Sequence, residues 1–222
     1  MDMKLIKSPT EADWTECKRR ALITMYGKGL GDIKPPTPEW KHKILAARHS
    51  PIRYLMYSFL VRDIPSNISV HFARHVHAQP YVSSLRNDRQ DAMDGDAAPR
   101  NTPVNMIYDV NAEELMVIAN KRLCNKASKQ TREATKMMCK LALEATPELE
   151  GLLVPMCEYR GGLCDEFNSC GRCDAIRAQV AKTHKGSTVE ISVSADVYAR
   201  AGRILLRQED SNYGTMFYPD EV

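Results

Sequence analysis

The chain has 222 residues, with 31 basic and 28 acidic side chains, a net charge of +3 and a 43% apolar content. That composition excludes a mainly disordered chain, and so small a net charge gives no electrostatic case for nucleic-acid binding. No apolar run approaches the roughly 18 residues of a membrane span, and Met1–Lys7 is not apolar enough for a signal peptide. Seven cysteines without an export signal point to reduced thiols, with or without a metal, in a cytoplasmic protein.

Met3 to Lys7 reads as a short strand. Ser8, followed by Pro9 and Glu11, has the spacing of a capped helix start, and that helix runs through Trp14, Cys17, Ala21, Leu22 and Met25 until Gly27, Gly29 and Gly31 stop it. Thr37-Pro38 begins a second helix, which runs to about Arg48 and is broken at His49-Ser50-Pro51. Tyr54 to Val61 is a strand by its aromatic and branched residues. Pro65-Ser66-Asn67 opens a third helix with Ile68, Val70, Phe72, Ala73 and Val76 on its buried side, ended by Gln79-Pro80. Asn87 to Asn105 is polar and reads as a surface loop. Met106 to Val110 is a strand, and Asn111 caps the next helix, with Glu113 and Glu114 in its first turn. A long helix from about Ala127 to Ala145 turns Ala134, Met137, Met138, Leu141 and Ala142 inward. Past Pro155 come a cysteine-rich stretch, a helix from about Asp174 to Lys182, a strand at Thr188–Val193 and a basic helix around Tyr198–Arg207. The whole is α+β, helix-rich with a small antiparallel sheet, and is expected as one main domain (1–154) carrying a cysteine-rich segment and tail (155–222).

The densest polar run is Arg74-His75-Val76-His77-Ala78-Gln79-Pro80-Tyr81-Val82-Ser83-Ser84-Leu85-Arg86-Asn87-Asp88-Arg89. Guanidinium forks match phosphate geometry, and serine hydroxyls with exposed amides complete a cradle. The run therefore reads either as an anion site for a phosphorylated molecule or as a solvated helix end with incidental charge.

Arg74-His75, with Ser84 and Arg86 at the following spacing, resembles the R-H-R, seven residues, S-x-R signature of the flavin-dependent thymidylate synthases, the ThyX family. Asn111-Ala112 with Leu115, and Arg122 eleven residues after Asn111, resembles the family's N-A-R-x-L helix start and its following arginine. Ser50-Pro51 ahead of a strand resembles its [TS]-P-x-E-H element. The resemblance implies an α+β homotetramer with active sites shared between subunits. It implies FAD as cofactor, dUMP as substrate, and NADPH and methylenetetrahydrofolate as co-substrates in the reductive methylation of dUMP to dTMP. Residue by residue, Ser50, Arg74, His75 and Asn111 would line the flavin. His71, Arg74, Ser83, Ser84, Arg86 and Arg122 would bind the nucleotide, with Arg122 against the uracil, Ser84 and Arg86 at the phosphate end, and Arg122 and Ser84 as the catalytic candidates.

The pattern also departs from the family's. Val76 holds the third signature place, Glu113 replaces the arginine of N-A-R, Arg53-Tyr54 replaces Glu-His, and Val82 stands at a polar position. Only 24 residues separate Arg86 from Asn111, a stretch that in the family supplies a further arginine, for which Arg89 or Arg100 is the substitute. Three outcomes stay open: thymidylate synthesis with a rebuilt site, modification of another pyrimidine nucleotide, or nucleotide binding without the flavin chemistry.

Cys157, Cys164, Cys170 and Cys173 offer four thiols within 17 residues, enough for a tetrahedral structural zinc, though only the last pair has knuckle spacing. Packing thiols and a redox disulfide are the alternatives. Cys17, Cys124 and Cys139 read as buried small hydrophobes on helices.

Overall fold

The computed structural model describes residues 1–183 apart from 26, 27, 92 and 165. The expected tail strand at 188–193 and the basic helix at 198–207 lie outside the described residues. Four strands, β1 (Asp2–Lys7), β2 (Met56–Pro65), β3 (Ala78–Val82) and β4 (Pro103–Asn111), form one antiparallel sheet in the order β1-β2-β4-β3. The helices are α1 (Glu11–Ile23), α2 (Pro38–Ala46), α3 (Ser66–Ala73), α4 (Ala112–Arg122), α5 (Lys129–Ala145), α6 (Met156–Tyr159) and α7 (Arg172–Thr183). A 3₁₀ turn, Ser50–Tyr54, leads into β2.

Alternation along β4 sets the layers. Val104, Met106, Tyr108 and Val110 are buried, while Pro103, Asn105 and Ile107 are exposed. Tyr57, Phe59 and Val61 of β2 share the buried face, and Phe72 of α3 meets Tyr108 edge-on with ring centres 5.6 Å apart. Ile68, Leu115, Ile118, Ala134, Met138 and Ala142 bring α3, α4 and α5 onto the same core. The Tyr57 hydroxyl, buried in this layer, bonds to Thr146 Oγ1 at 3.0 Å, so its polar end is satisfied.

Three expectations shift. The cap of α1 is Thr10 rather than Ser8: Thr10 Oγ1 accepts from the Asp13 amide at 3.2 Å and Asp13 Oδ2 accepts from the Thr10 amide at 2.8 Å. The reciprocal pair two residues later outcompetes the Ser8 signal. The third helix ends at Ala73, leaving Val70 47% and Val76 86% exposed rather than buried.

The third shift concerns Ala78–Val82, which is an edge strand where the proline suggested only a helix stop. Ser83 donates its amide to the Asn105 carbonyl at 2.8 Å, which fixes the alternation of the ladder. Pro80, opposite Tyr108, then falls at a position whose nitrogen faces away from β4, so the missing N–H costs no ladder bond.

Candidate functional site

The end of α3 and the two ends of α4 converge on one polar cluster. Asn111 caps α4, its Oδ1 accepting from the Glu114 amide at 2.9 Å. Glu114 and Arg122 lie eight residues apart along α4 and so on nearly one face. The buried His75 ring sits between them. Its Nδ1 is 2.9 Å from Glu114 Oε1, and Arg122 donates its Nε–H to His75 Nε2 at 3.1 Å. A second Arg122 nitrogen donates to the His71 carbonyl at 2.9 Å. His71 in turn has its Nδ1 2.7 Å from Thr131 Oγ1 at the start of α5. The Arg122 guanidinium is thus held by the last turn of α3 and the His75 ring just beyond it, with α5 reaching the cluster through His71.

The cluster's electrostatics are those of an anion site. Burial holds the Arg122 pKa below its usual value, and the neighbouring positive charge of Arg74 acts the same way. Burial, then Arg122 and Arg74, lower His71 below its usual 6.5. Burial lowers His75 as well, against the opposing pull of its bond to Glu114. Arg74 is exposed at the C-terminal cap of α3 and has no hydrogen-bond or ion-pair partner among the described residues. Cationic groups crowded without enough facing acids are stabilised when a ligand brings negative charge.

Other expected residues lie elsewhere or are engaged. Ser50 is exposed on the 3₁₀ turn, which adjoins the start of α4 through the Ala112 amide bonded to the Leu55 carbonyl at 2.9 Å. There Arg53 and Glu113 form an ion pair, so the two residues that depart from the family's charges at these places neutralise each other. Ser83, Ser84 and Arg86 follow β3, at the opposite end of that strand from Arg74 and His75. Four residue steps separate Ala78 from Val82, about 13 Å of extended chain. Ser83 Oγ accepts from the Asn105 amide at 2.9 Å, Ser84 Oγ accepts from the Arg86 amide at 3.2 Å, and exposed Arg86 grips Asp88 at 2.9 and 2.8 Å. Within one chain the residues expected to share a pocket over 74–86 thus stand toward opposite ends of β3.

Glu114 and Thr131 are the members the sequence reading missed. Glu114 was read as a charge favouring the helix dipole, yet it stands in line with buried Ile118, and a carboxylate on a buried stripe needs a partner. That periodicity was the available signal.

The thiols make a different grouping. Cys124, just past α4, joins Cys157, Cys164, Cys170 and Cys173 around a small cavity of about 20 Å³, room for one water-sized body. Among the described residues no three Cys, His, Asp or Glu side chains are placed to share a metal ion. Cys157 is on α6, Cys164 and Cys170 are in the connection to α7, Cys173 is at the start of α7, and Cys173 Sγ is turned to Ser169 Oγ at 3.0 Å. Burial pushes the Cys17 and Cys139 thiols up to about 11 and about 12, as suits packing groups rather than nucleophiles.

No family model and no curated protein sequence matches this chain. Solved structures do. The thymidylate synthase ThyX of Helicobacter pylori, determined with FAD and dUMP, superposes with a TM-score of 0.52 at 16% identity over 69% of this chain and 99% of its own. A second structure of that enzyme complexed with FAD and dUMP gives 0.53 at 15% identity over 68% and 99%. The UMP/dUMP methylase PolB of Streptomyces cacaoi, bound with 5-Br dUMP, gives 0.52 at 14% identity over 66% and 92%. The fold is therefore ThyX-like. No helix among the described residues is long and apolar enough to cross a membrane.

Proposed function

We propose that the chain is a ThyX-like enzyme acting on a pyrimidine nucleotide, most simply the reductive methylation of dUMP to dTMP with methylenetetrahydrofolate and NADPH. One observation carries the reading: on a frame shared with dUMP-binding proteins, Arg122 is held by the His75 ring and the His71 carbonyl, beside a half-buried His71 and an Arg74 with no bonding partner among the described residues. In this reading Arg122 faces the uracil and stabilises negative charge developing on the ring. Arg74 and His71 complete that half of the site.

Ser83, Ser84 and Arg86 take the phosphate end, Arg86 exchanging Asp88 for phosphate oxygens. The family resemblance implies a homotetramer with shared sites, in which the residues at the two ends of β3 could serve nucleotides lying between chains. For FAD, Ser50, Arg74 and the Asn111 side-chain amide, which has no bond among the described residues, are free to meet the cofactor, whereas both ring nitrogens of His75 are already engaged. When bound, the flavin supplies the redox chemistry; the chain supplies position and charge.

The test is direct. Purified protein incubated with FAD should show bound flavin absorbing at about 450 nm, and should then convert dUMP in the presence of methylenetetrahydrofolate and NADPH. Bound flavin with turnover only on another pyrimidine nucleotide would move the substrate assignment. Protein that takes up neither FAD nor dUMP would sink the reading.

A nucleotide-binding module without flavin chemistry is the second reading. The engaged His75 ring and the Arg53–Glu113 pair favour it. Calorimetry that gives dUMP binding and no FAD binding selects it.

A further inference from the structure

We propose that Glu114 and His75 act as a clamp that fixes Arg122 for an anionic ligand, the carboxylate selecting the imidazole tautomer whose Nε2 is an acceptor. The inference rests on the nucleotide reading only for the identity of that ligand.

The argument is one of donors and acceptors. A guanidinium has N–H groups and no lone pair to offer. His75 Nε2, 3.1 Å from Arg122 Nε, must therefore present a lone pair. A neutral imidazole carries one N–H, so the proton sits on Nδ1, and Nδ1 lies 2.9 Å from Glu114 Oε1, a pure acceptor when ionised. A protonated His75 would instead set an N–H against an N–H and a cation against a cation in a buried place. The arrangement thus admits one state, neutral with the proton on Nδ1.

A free neutral imidazole prefers its proton on Nε2, so Glu114 reverses the ordinary preference. Glu114 is itself placed by the Asn111 cap. Arg122 then spends Nε on His75 and one terminal nitrogen on the His71 carbonyl, while its other terminal nitrogen has no bond among the described residues and remains for a ligand. Glu114 and His75 are positioning residues: they act through Arg122 rather than on substrate.

Nitrogen-15 NMR of the full chain without nucleotide tests this. At pH 7.5, His75 should have a protonated Nδ1 and a bare Nε2, and the Arg122 Nε–H should exchange slowly. Glu114→Ala should move the His75 proton to Nε2 and speed Arg122 Nε–H exchange by about tenfold or more. Glu114→Gln, whose amide oxygen still accepts from Nδ1, should restore the tautomer and most of the protection. A wild-type His75 protonated on Nε2, or Arg122 exchange unchanged by Glu114→Ala, would overturn the clamp.

Should Glu114→Ala fail to fold, acidifying the wild type decides. The charged groups facing this ring and its guanidinium are Glu114, Arg122, His71, Arg74 and the Tyr108 phenol. Arg122 protection should vanish as His75 itself gains its second proton; protection that outlasts that step refutes the clamp. In a parallel dUMP titration, Glu114→Ala should weaken binding by about tenfold and Glu114→Gln should recover it. A wild-type chain that does not bind dUMP sinks the nucleotide reading, and the NMR arms then judge the clamp alone.

Discussion

Arg122 and Cys124 are two residues apart, yet they serve opposite kinds of site. On the Arg122 side, polar atoms are matched: Glu114 to His75, His75 to Arg122, Arg122 to the His71 carbonyl, His71 to Thr131. On the Cys124 side, five thiols face one small cavity without a shared bonding point among the described residues. In the first group Glu114, Arg122, His71 and Thr131 stand on α3, α4 and α5, whose apolar faces belong to the core, and the buried His75 follows the end of α3 by two residues. The second draws on short α6, the start of α7 and the irregular chain between them. Side chains on packed helices have few positions open to them, so their donors and acceptors are fixed to atomic tolerance. Chain with few packing partners brings like residues near one another without ordering them.

The comparison can be broken at its strong end first. Arg122→Ala should cut turnover of the loaded enzyme by about 100-fold or more, the usual cost of losing one preorganised charge-stabilising group, with a smaller change in KM. An unchanged kcat would remove Arg122 from its role. Between the two regions stands Asn120, buried at 1% exposure, whose amide donates to the Val154 carbonyl at 2.6 Å and whose oxygen accepts from Arg48. Asn120→Ala should lower unfolding stability by about 1–3 kcal/mol, because the Val154 carbonyl loses its donor and Arg48 an acceptor. Denaturant midpoints measure this, and a loss under about 0.5 kcal/mol would mean that water repairs the gap.

Asn111→Ala removes a helix cap and should cost about 1 kcal/mol by the same assay. At the weak end, Cys170 is exposed, and Cys170→Ser should change stability by less than about 0.5 kcal/mol. A large rise in melting temperature on adding zinc to the wild type, lost in that variant, would instead show that the thiols close around an ion.

Acid sharpens the contrast from another side. His71 and His75 both have folded pKa values below the usual 6.5, so the unfolded chain binds their protons more readily. Their contribution is fully present above about pH 6.5 and is lost as pH falls from there through the folded values. Stability measured between about pH 7.5 and 5.5 should therefore decline on the acid side, and His75→Gln should flatten part of the slope. A slope of the opposite sign would mean that Glu114 outweighs burial at His75.

Much of the frame was legible. Asn111 as a cap, the alternation of Met106 to Val110, and the inward stripe of Ala134, Met138 and Ala142 follow from local chemistry and period, and the structure keeps them. What escaped was set by contacts distant in sequence. Val70 and Val76 have the right spacing for a buried face, but α3 stops at Ala73 because the chain must turn to lay β3 against β4, 24 to 32 residues away. The site divides in the same way. Arg74, His71 and Arg122 share a place because α3 and α4 meet there, a grouping that the sequence offered only through the family resemblance. Ser84 and Arg86 are near Arg74 in sequence, and the intervening strand carries them away. Glu114 was hidden because its first-turn position already had a sufficient explanation in the helix dipole.

Pro80 has a further effect. Its ring nitrogen faces outward from β3, so an approaching strand would find neither a proton to bind nor room beside the pyrrolidine. The sheet cannot be lengthened from this border into a ribbon of many copies. The opposite border, β1, has no proline, so of the sheet's two edges it is the one that keeps its full row of backbone donors.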